Sequence, residues 1–101
     1  MAWEIHYRKG VHLPQLGWSL DAQSRVARSF ISHAHSDHIA RHPEVLCTPG
    51  TARFLHARIP GKRLITELPF GRPHDLEFGV TATLYPAGHI LGSAQIHLES
   101  A

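Results

Sequence analysis

The chain has a single cysteine in 101 residues, Cys47, so no disulfide can form within it. That excludes the disulfide-stapled secreted class and leads us to expect a reducing, cytoplasmic setting. No apolar run approaches the ~20 residues that a membrane-spanning helix needs. The basic residues of MAWEIHYRKG are followed by no apolar stretch, so neither a signal peptide nor a membrane partner is expected. Charge is also scarce, at 18% of residues, with a net +2 when histidines are neutral and a pI of about 9.1. This mild basicity suits a polyanionic partner without specifying one, because the lysines and arginines are spread along the sequence rather than clustered. The 43% hydrophobic content is that of a globular chain rather than a disordered one. At this length a single domain is expected, with roughly two-thirds of its unfolded surface hidden.

Against these scarcities stand ten histidines. Histidine is the commonest metal ligand and the usual proton carrier near neutral pH, so position decides what they mean. Alternation of apolar and polar residues predicts short strands over 3–7, 11–13, 15–20 and 28–32. Ser36 or Asp37 is placed to cap a brief helix that must stop near His42, since Pro43 disfavours helical geometry in the residue before it. A strand over 45–48 follows. Thr48 as N-cap and Pro49 at the first helical position predict a helix to about Arg58, with Ala52, Leu55 and Ile59 on one face, ended by Pro60-Gly61. Strands are expected again at 63–67, 75–78, 80–85 and 94–98. The helix between the strands at 45–48 and 63–67 allows those two to pair in parallel. The class is therefore α/β in the broad, α+β sense: mostly strands with one or two helices.

The chemistry concentrates in HAHSDH, residues 33–38. His33 and His35 are two apart at a strand end, where side chains at i and i+2 project to the same face and can share one ion. Asp37 and His38 follow where the chain turns, aimed away from the first pair and suited to a second ion, as in two-metal sites with ions about 3.5–4 Å apart. A catalytic metal needs a third protein ligand, and His89 in the glycine-flanked turn PAGHILG is the candidate. The bland alternatives are a chance cluster on a solvated loop and a turn histidine bonded to a carbonyl. The first would leave several polar groups unpaired if buried, at about 1–3 kcal/mol each. His6, His12, His56, His74 and His97 read as surface or packing residues. His42 reads as a residue supporting the ligands or lying on the surface, and Cys47 as a small core hydrophobe.

HAHSDH resembles the HxHxDH signature of the metallo-β-lactamase superfamily. FISHAHSDHIARH and LYPAGHILGSAQIHLE resemble its nuclease branch, in which RNA 3′-end processing nucleases and exonucleases associated with bacterial DNA ligases fall. The resemblance runs from about Leu16 onward. It implies the first half of an αββα sandwich spanning 1–101 and a nuclease acting on DNA or RNA with two zinc ions. His33, His35 and His89 would hold the first ion, and Asp37 and His38 the second. Asp37 would also orient the nucleophile, and Asp21 would support the ligands from behind. The family's bridging aspartate, a further histidine and the cap domain come later than Ala101, so a truncated domain, or a subunit needing its other half, is expected. Apolar positions over 80–85 and 94–98 would then lie uncovered, giving a sticky or oligomeric chain; a clean monomer with a cooperative melt would count against this. Two alternatives stand beside the nuclease. One is an inactive metal-binding fragment. The other is a metallo-hydrolase of another substrate, since one metal motif serves many. An amidohydrolase barrel, typically about 250 residues, is excluded by length.

Overall fold

The computed structural model describes residues 4–33, 40–87 and 93–100. Nine strands and one helix make an α+β arrangement of three layers among these residues. The first sheet contains β1 (His6–Tyr7), β2 (Val11–Leu13), β3 (Trp18–Leu20), β4 (Arg28–Phe30), β5 (Glu44–Cys47) and β6 (Leu64–Glu67), in that order. The β1–β2 and β2–β3 pairs are antiparallel, whereas β3, β4, β5 and β6 run parallel. The second sheet is the antiparallel set β7 (His74–Asp75), β8 (Val80–Pro86) and β9 (Ala94–Ser100).

The period-two alternation of the strands assigns each sheet face to a different partner. Leu13, Trp18, Phe30 and Leu46 point to one side of the first sheet and meet Val80, Ala82, Leu84 and Ala94 of the second. Ile31, Val45 and Cys47 point to the other side and meet Ala52 and Leu55 of helix α1 (Pro49–Arg58). The first sheet is thus buried on both faces, as parallel sheets require. The result is compatible with part of a layered sandwich.

Helix α1 begins and ends as its sequence dictates. Thr48 is the N-cap, its hydroxyl accepting from Thr51 N–H at 3.3 Å, and Pro49 occupies the first turn. The helix closes with Ile59 N–H donating to Leu55 O, just before Pro60-Gly61. Burial inside this layer pushes the Cys47 thiol up to about 12, with Glu67 adding to the effect, so the sulfur is a packing atom and not a nucleophile.

Some expectations need correction. The strand expected from residue 15 starts only at Trp18, because Leu13 O accepts from both Leu16 and Gly17 N–H and so makes a turn there. The strand expected over 75–78 is cut short at Asp75, because Leu76 N–H donates to Val80 O and Phe78 takes a φ of 61° in the hairpin turn. The short helix expected to end at His42 lies largely outside the described residues, and residues 40–43 are not helical. Most of the apolar side chains of β8 are not uncovered: Val80, Ala82 and Leu84 are buried against the first sheet of the same chain, while Tyr85 is exposed. What remains open is a groove of about 390 Å³ between β1–β2 and β9, lined by Ile5, Tyr7, Val11, Leu20, Ile96 and Leu98 with Leu13 at its base. No helix among the described residues is long and apolar enough to cross a membrane.

His42 also departs from expectation, being buried at 1% exposure and tied to backbone. Val26 N–H donates to its Nδ1 at 3.1 Å, and its Nε2 donates to Ala22 O at 3.2 Å, which fixes the neutral tautomer and pins the 22–26 loop. Desolvation lowers its pKa below 6.5. The unfolded chain therefore takes up a proton first as pH falls through about 6.5, so this contribution to stability is full above that value and declines below it. We expect His42→Gln to cost about 1–3 kcal/mol at neutral pH, because Val26 N–H and Ala22 O lose their fitted partner. Urea unfolding between about pH 8 and 5 should also show a weaker decline on acidification in the variant than in the wild type.

Candidate functional site

The parallel pairing of β3 with β4 sets Ser19 beside Ser29 and Leu20 beside Phe30. Both strands therefore end together, and Asp21 emerges next to the chain leaving Phe30. In sheets with parallel strands these carboxyl ends are where binding groups collect. Asp21 N–H donates to Phe30 O at 2.8 Å, which extends the pairing by one step. Its φ of 51° then turns the chain off the sheet, a conformation that aspartate tolerates better than most residues. The turn aims the carboxylate back across the gap, where Oδ1 accepts from Ser32 N–H at 2.7 Å. A bond between a carboxylate and a backbone amide is stronger than a neutral one.

Ser32 makes two further connections. Its hydroxyl lies 2.8 Å from His33 Nδ1, and its carbonyl accepts from Ala94 N–H at 2.8 Å. The second bond ties the first sheet to the start of β9. Beside it, Ala87 N–H donates to Ser93 O at 3.1 Å, closing the base of the β8–β9 connection. The described residues on either side of 88–92 therefore sit against the residue that precedes His33. Two segments far apart in sequence, one opening HAHSDH and one flanking PAGHILG, share this junction.

Support for Asp21 comes from the β1–β2 turn. Gly10 has a φ of 130°, and a Cβ there would meet Ala22 Cα at 2.7 Å and Asp21 O at 2.9 Å, so only glycine lets the turn pack this closely. Lys9 O accepts from Gln23 N–H at 2.7 Å on the same side. Ser29 Oγ, 3.4 Å from Ala22 N, and His42 on Ala22 O complete a backing that holds residues 21 and 22 from three directions.

Of the residues the sequence singles out, His33 is described and half-buried at the junction. His35, Asp37, His38 and His89 lie outside the described residues. Among the described residues no group of three or more histidines, cysteines and acids could hold a metal ion. Asp21 accepts from the amide of Ser32, the residue before His33. Reading the sequence placed Gly10 in the turn between the first two strands but missed its close approach to residues 21 and 22, and it missed Ser32 and the anchoring role of His42. The signal for Ser32 was its place between a strand and the first histidine; the partners of Gly10 and His42 are long-range.

Comparison with known proteins gives two relatives. The chain is 52% identical over 99 residues to a protein of Opitutus terrae named "Probable DNA ligase", covering 98% of this chain and 10% of that one. It is 36% identical over 90 residues to the 5′ exonuclease Apollo of Gallus gallus, covering 83% of this chain and 20% of that one. The chain thus spans a tenth and a fifth of the lengths of these relatives. No protein-family model matches it.

We expect Asp21→Ala to destabilise the chain by about 1–3 kcal/mol, since the part-buried Ser32 amide loses its acceptor and the new residue disfavours positive φ. Asp21→Asn keeps an acceptor and tolerates that backbone, so it should lose clearly less. Denaturant unfolding of the two variants checks this, and equal losses would show that the carboxylate is not what holds Ser32.

Proposed function

We propose that the chain carries part of the metal site of a metallo-β-lactamase-type nuclease, which hydrolyses phosphodiester bonds in DNA or RNA. In this reading residues 1–101 form the N-terminal half of the domain. His33, His35 and His89 hold one zinc ion, and Asp37 and His38 hold a second. The observation that carries the reading is the Ser32 junction, which sets the start of HAHSDH against the residues flanking 88–92. The 5′ exonuclease and DNA ligase named among the relatives support nucleic acid as the substrate class.

His33 fits the ligand role on chemical grounds. A ligating imidazole usually has its other ring nitrogen fixed by a hydrogen bond, and Ser32 Oγ stands at Nδ1 to do this. With the hydroxyl accepting from Nδ1–H, Nε2 would bear the lone pair that a metal takes. Asp21 holds the Ser32 amide and thereby the backbone that carries the ring. Zinc, when bound, would supply positive charge toward phosphate oxygens and bring the pKa of a water down to about 7. Asp37 would orient that water toward phosphorus and accept its hydrogen bond. Imidazole and carboxylate donors also suit manganese or iron, so metal identity is decided by measurement.

The test is metal content of the purified chain by elemental mass spectrometry, beside His33→Ala and His89→Ala, followed by assay on end-labelled DNA and RNA strands. We expect about one to two ions per chain, lost in both variants, and strand shortening that disappears with the metal. Metal retained in both variants would overturn the ligand set. Metal bound without cleavage of either strand would overturn the nuclease in favour of a metal-binding module or a hydrolase of another substrate.

A further inference from the structure

Lysine and arginine are scattered in the sequence, but the fold gathers four of them at one edge of the first sheet. Residues 40–43 and 59–63 lead into the parallel strands β5 and β6, joined where Leu64 N–H donates to Pro43 O at 2.9 Å. Arg25 Nε donates to Arg41 O at 3.2 Å, and Arg41 Nη1 donates to Pro60 O at 2.9 Å. Arg63 Nη2 donates to Ile59 O. Each guanidinium has five N–H donors, so one bond to a carbonyl positions the group without exhausting it.

Gly61 lies between them. A methyl group on it would sit 3.6 Å from Arg41 Nη1 and 3.9 Å from Arg63 Nη2, so two guanidinium groups flank a bare stretch of backbone. Lys62 is exposed beside it, as are Arg25 and Arg41. Arg25 precedes Val26, whose N–H donates to the ring of His42, the chain neighbour of Arg41. The ion pair Arg28–Glu77 lies elsewhere, and among the described residues no carboxylate pairs with Arg25, Arg41, Lys62 or Arg63. The nearest acid in sequence, Glu44, lines a separate pocket with Trp18, Arg28 and Asp75. Four like charges held together, with no carboxylate paired to them among the described residues, favour a polyanion over any neutral partner.

We propose that the notch over Gly61, flanked by Arg41 and Arg63 with Arg25 and Lys62 beside it, binds backbone phosphates of a nucleic-acid strand. This rests on the nucleic-acid part of the function proposed above. Phosphate contacts of this kind position a strand and do not read its sequence, so the patch holds substrate at a distance from the residues that would cut it. Each contact releases condensed counterions, which gives the test a readout other than activity.

The experiment is fluorescence anisotropy of a labelled single-stranded oligonucleotide with the full chain in EDTA, across a salt series. The Arg41→Gln/Lys62→Gln pair is compared with wild type and with Arg53→Gln/Arg72→Gln, which removes the same charge elsewhere. We expect the patch pair to reduce the slope of log affinity against log salt by about 1.4, at about 0.7 per single-strand contact. The control pair should change it little. If the patch pair fails to fold, Arg25→Gln, on an exposed side chain, should reduce the slope by about 0.7. Equal slopes in patch and control pairs would overturn the proposal. So would competition by inorganic phosphate that matches the strand phosphate for phosphate, which would mean a free-anion site. Cleavage is silent in EDTA, so binding through the patch without cutting in metal sinks the nuclease reading alone. Cutting with unaltered binding in the patch variants sinks this one alone.

Discussion

The amide, hydroxyl and carbonyl of Ser32 are each committed to a different part of the chain. The amide meets the Asp21 carboxylate, the hydroxyl meets His33, and the carbonyl takes the Ala94 amide. Through these bonds one residue joins the end of β3, the end of β4 and the start of β9. The strands involved are short, three residues in β3 and β4, so their own ladders supply few bonds. The junction supplies the register that such short strands cannot fix alone. Its cost is a positive φ at Asp21, tolerated because Gly10 and His42 back residues 21 and 22 from behind.

The layering makes this junction possible. A parallel strand buried on both faces needs apolar side chains at consecutive positions, and Phe30-Ile31 and Val45-Leu46-Cys47 provide them. Phe30 and Leu46 hold the second sheet, while Ile31, Val45 and Cys47 hold the helix. Because both sheets share that inner core, the start of β9 is delivered to the residues that follow β4, where Ala94 N–H donates to Ser32 O. An apolar groove between β1–β2 and β9 marks where this layering is open. Polar and basic groups are displaced to the opposite ends of the parallel strands, which separates the proposed reacting groups from the proposed phosphate-holding edge.

Much of the fold was legible because its determinants are local. Thr48-Pro49 before a helical stripe and Pro60-Gly61 after it fix α1 through capping and the limits of the proline backbone. A helix between two short apolar runs gives the parallel β5–β6 pair. The errors fell where the exact turn bonds or long-range packing decided. The turn at Leu13–Gly17 and the shortened β7 depend on which carbonyl captures which amide. The burial of Val80, Ala82 and Leu84 depends on a sheet formed by residues far away in the chain.

For the candidate site the division is similar. HAHSDH after a strand, with its i, i+2 spacing, is what motivates the proposed metal chemistry, because ligand type and spacing are properties of the sequence itself. A supporting role for Asp21 was implied by family resemblance alone; what the tertiary structure shows is a carboxylate that accepts from Ser32 N–H across two parallel strand ends. The gathering of Arg25, Arg41, Lys62 and Arg63 around Gly61, and the burial of His42, were decided only by the fold. Sequence determines what a side chain can bond to, whereas which partners come within 3–4 Å of it depends on how the layers stack.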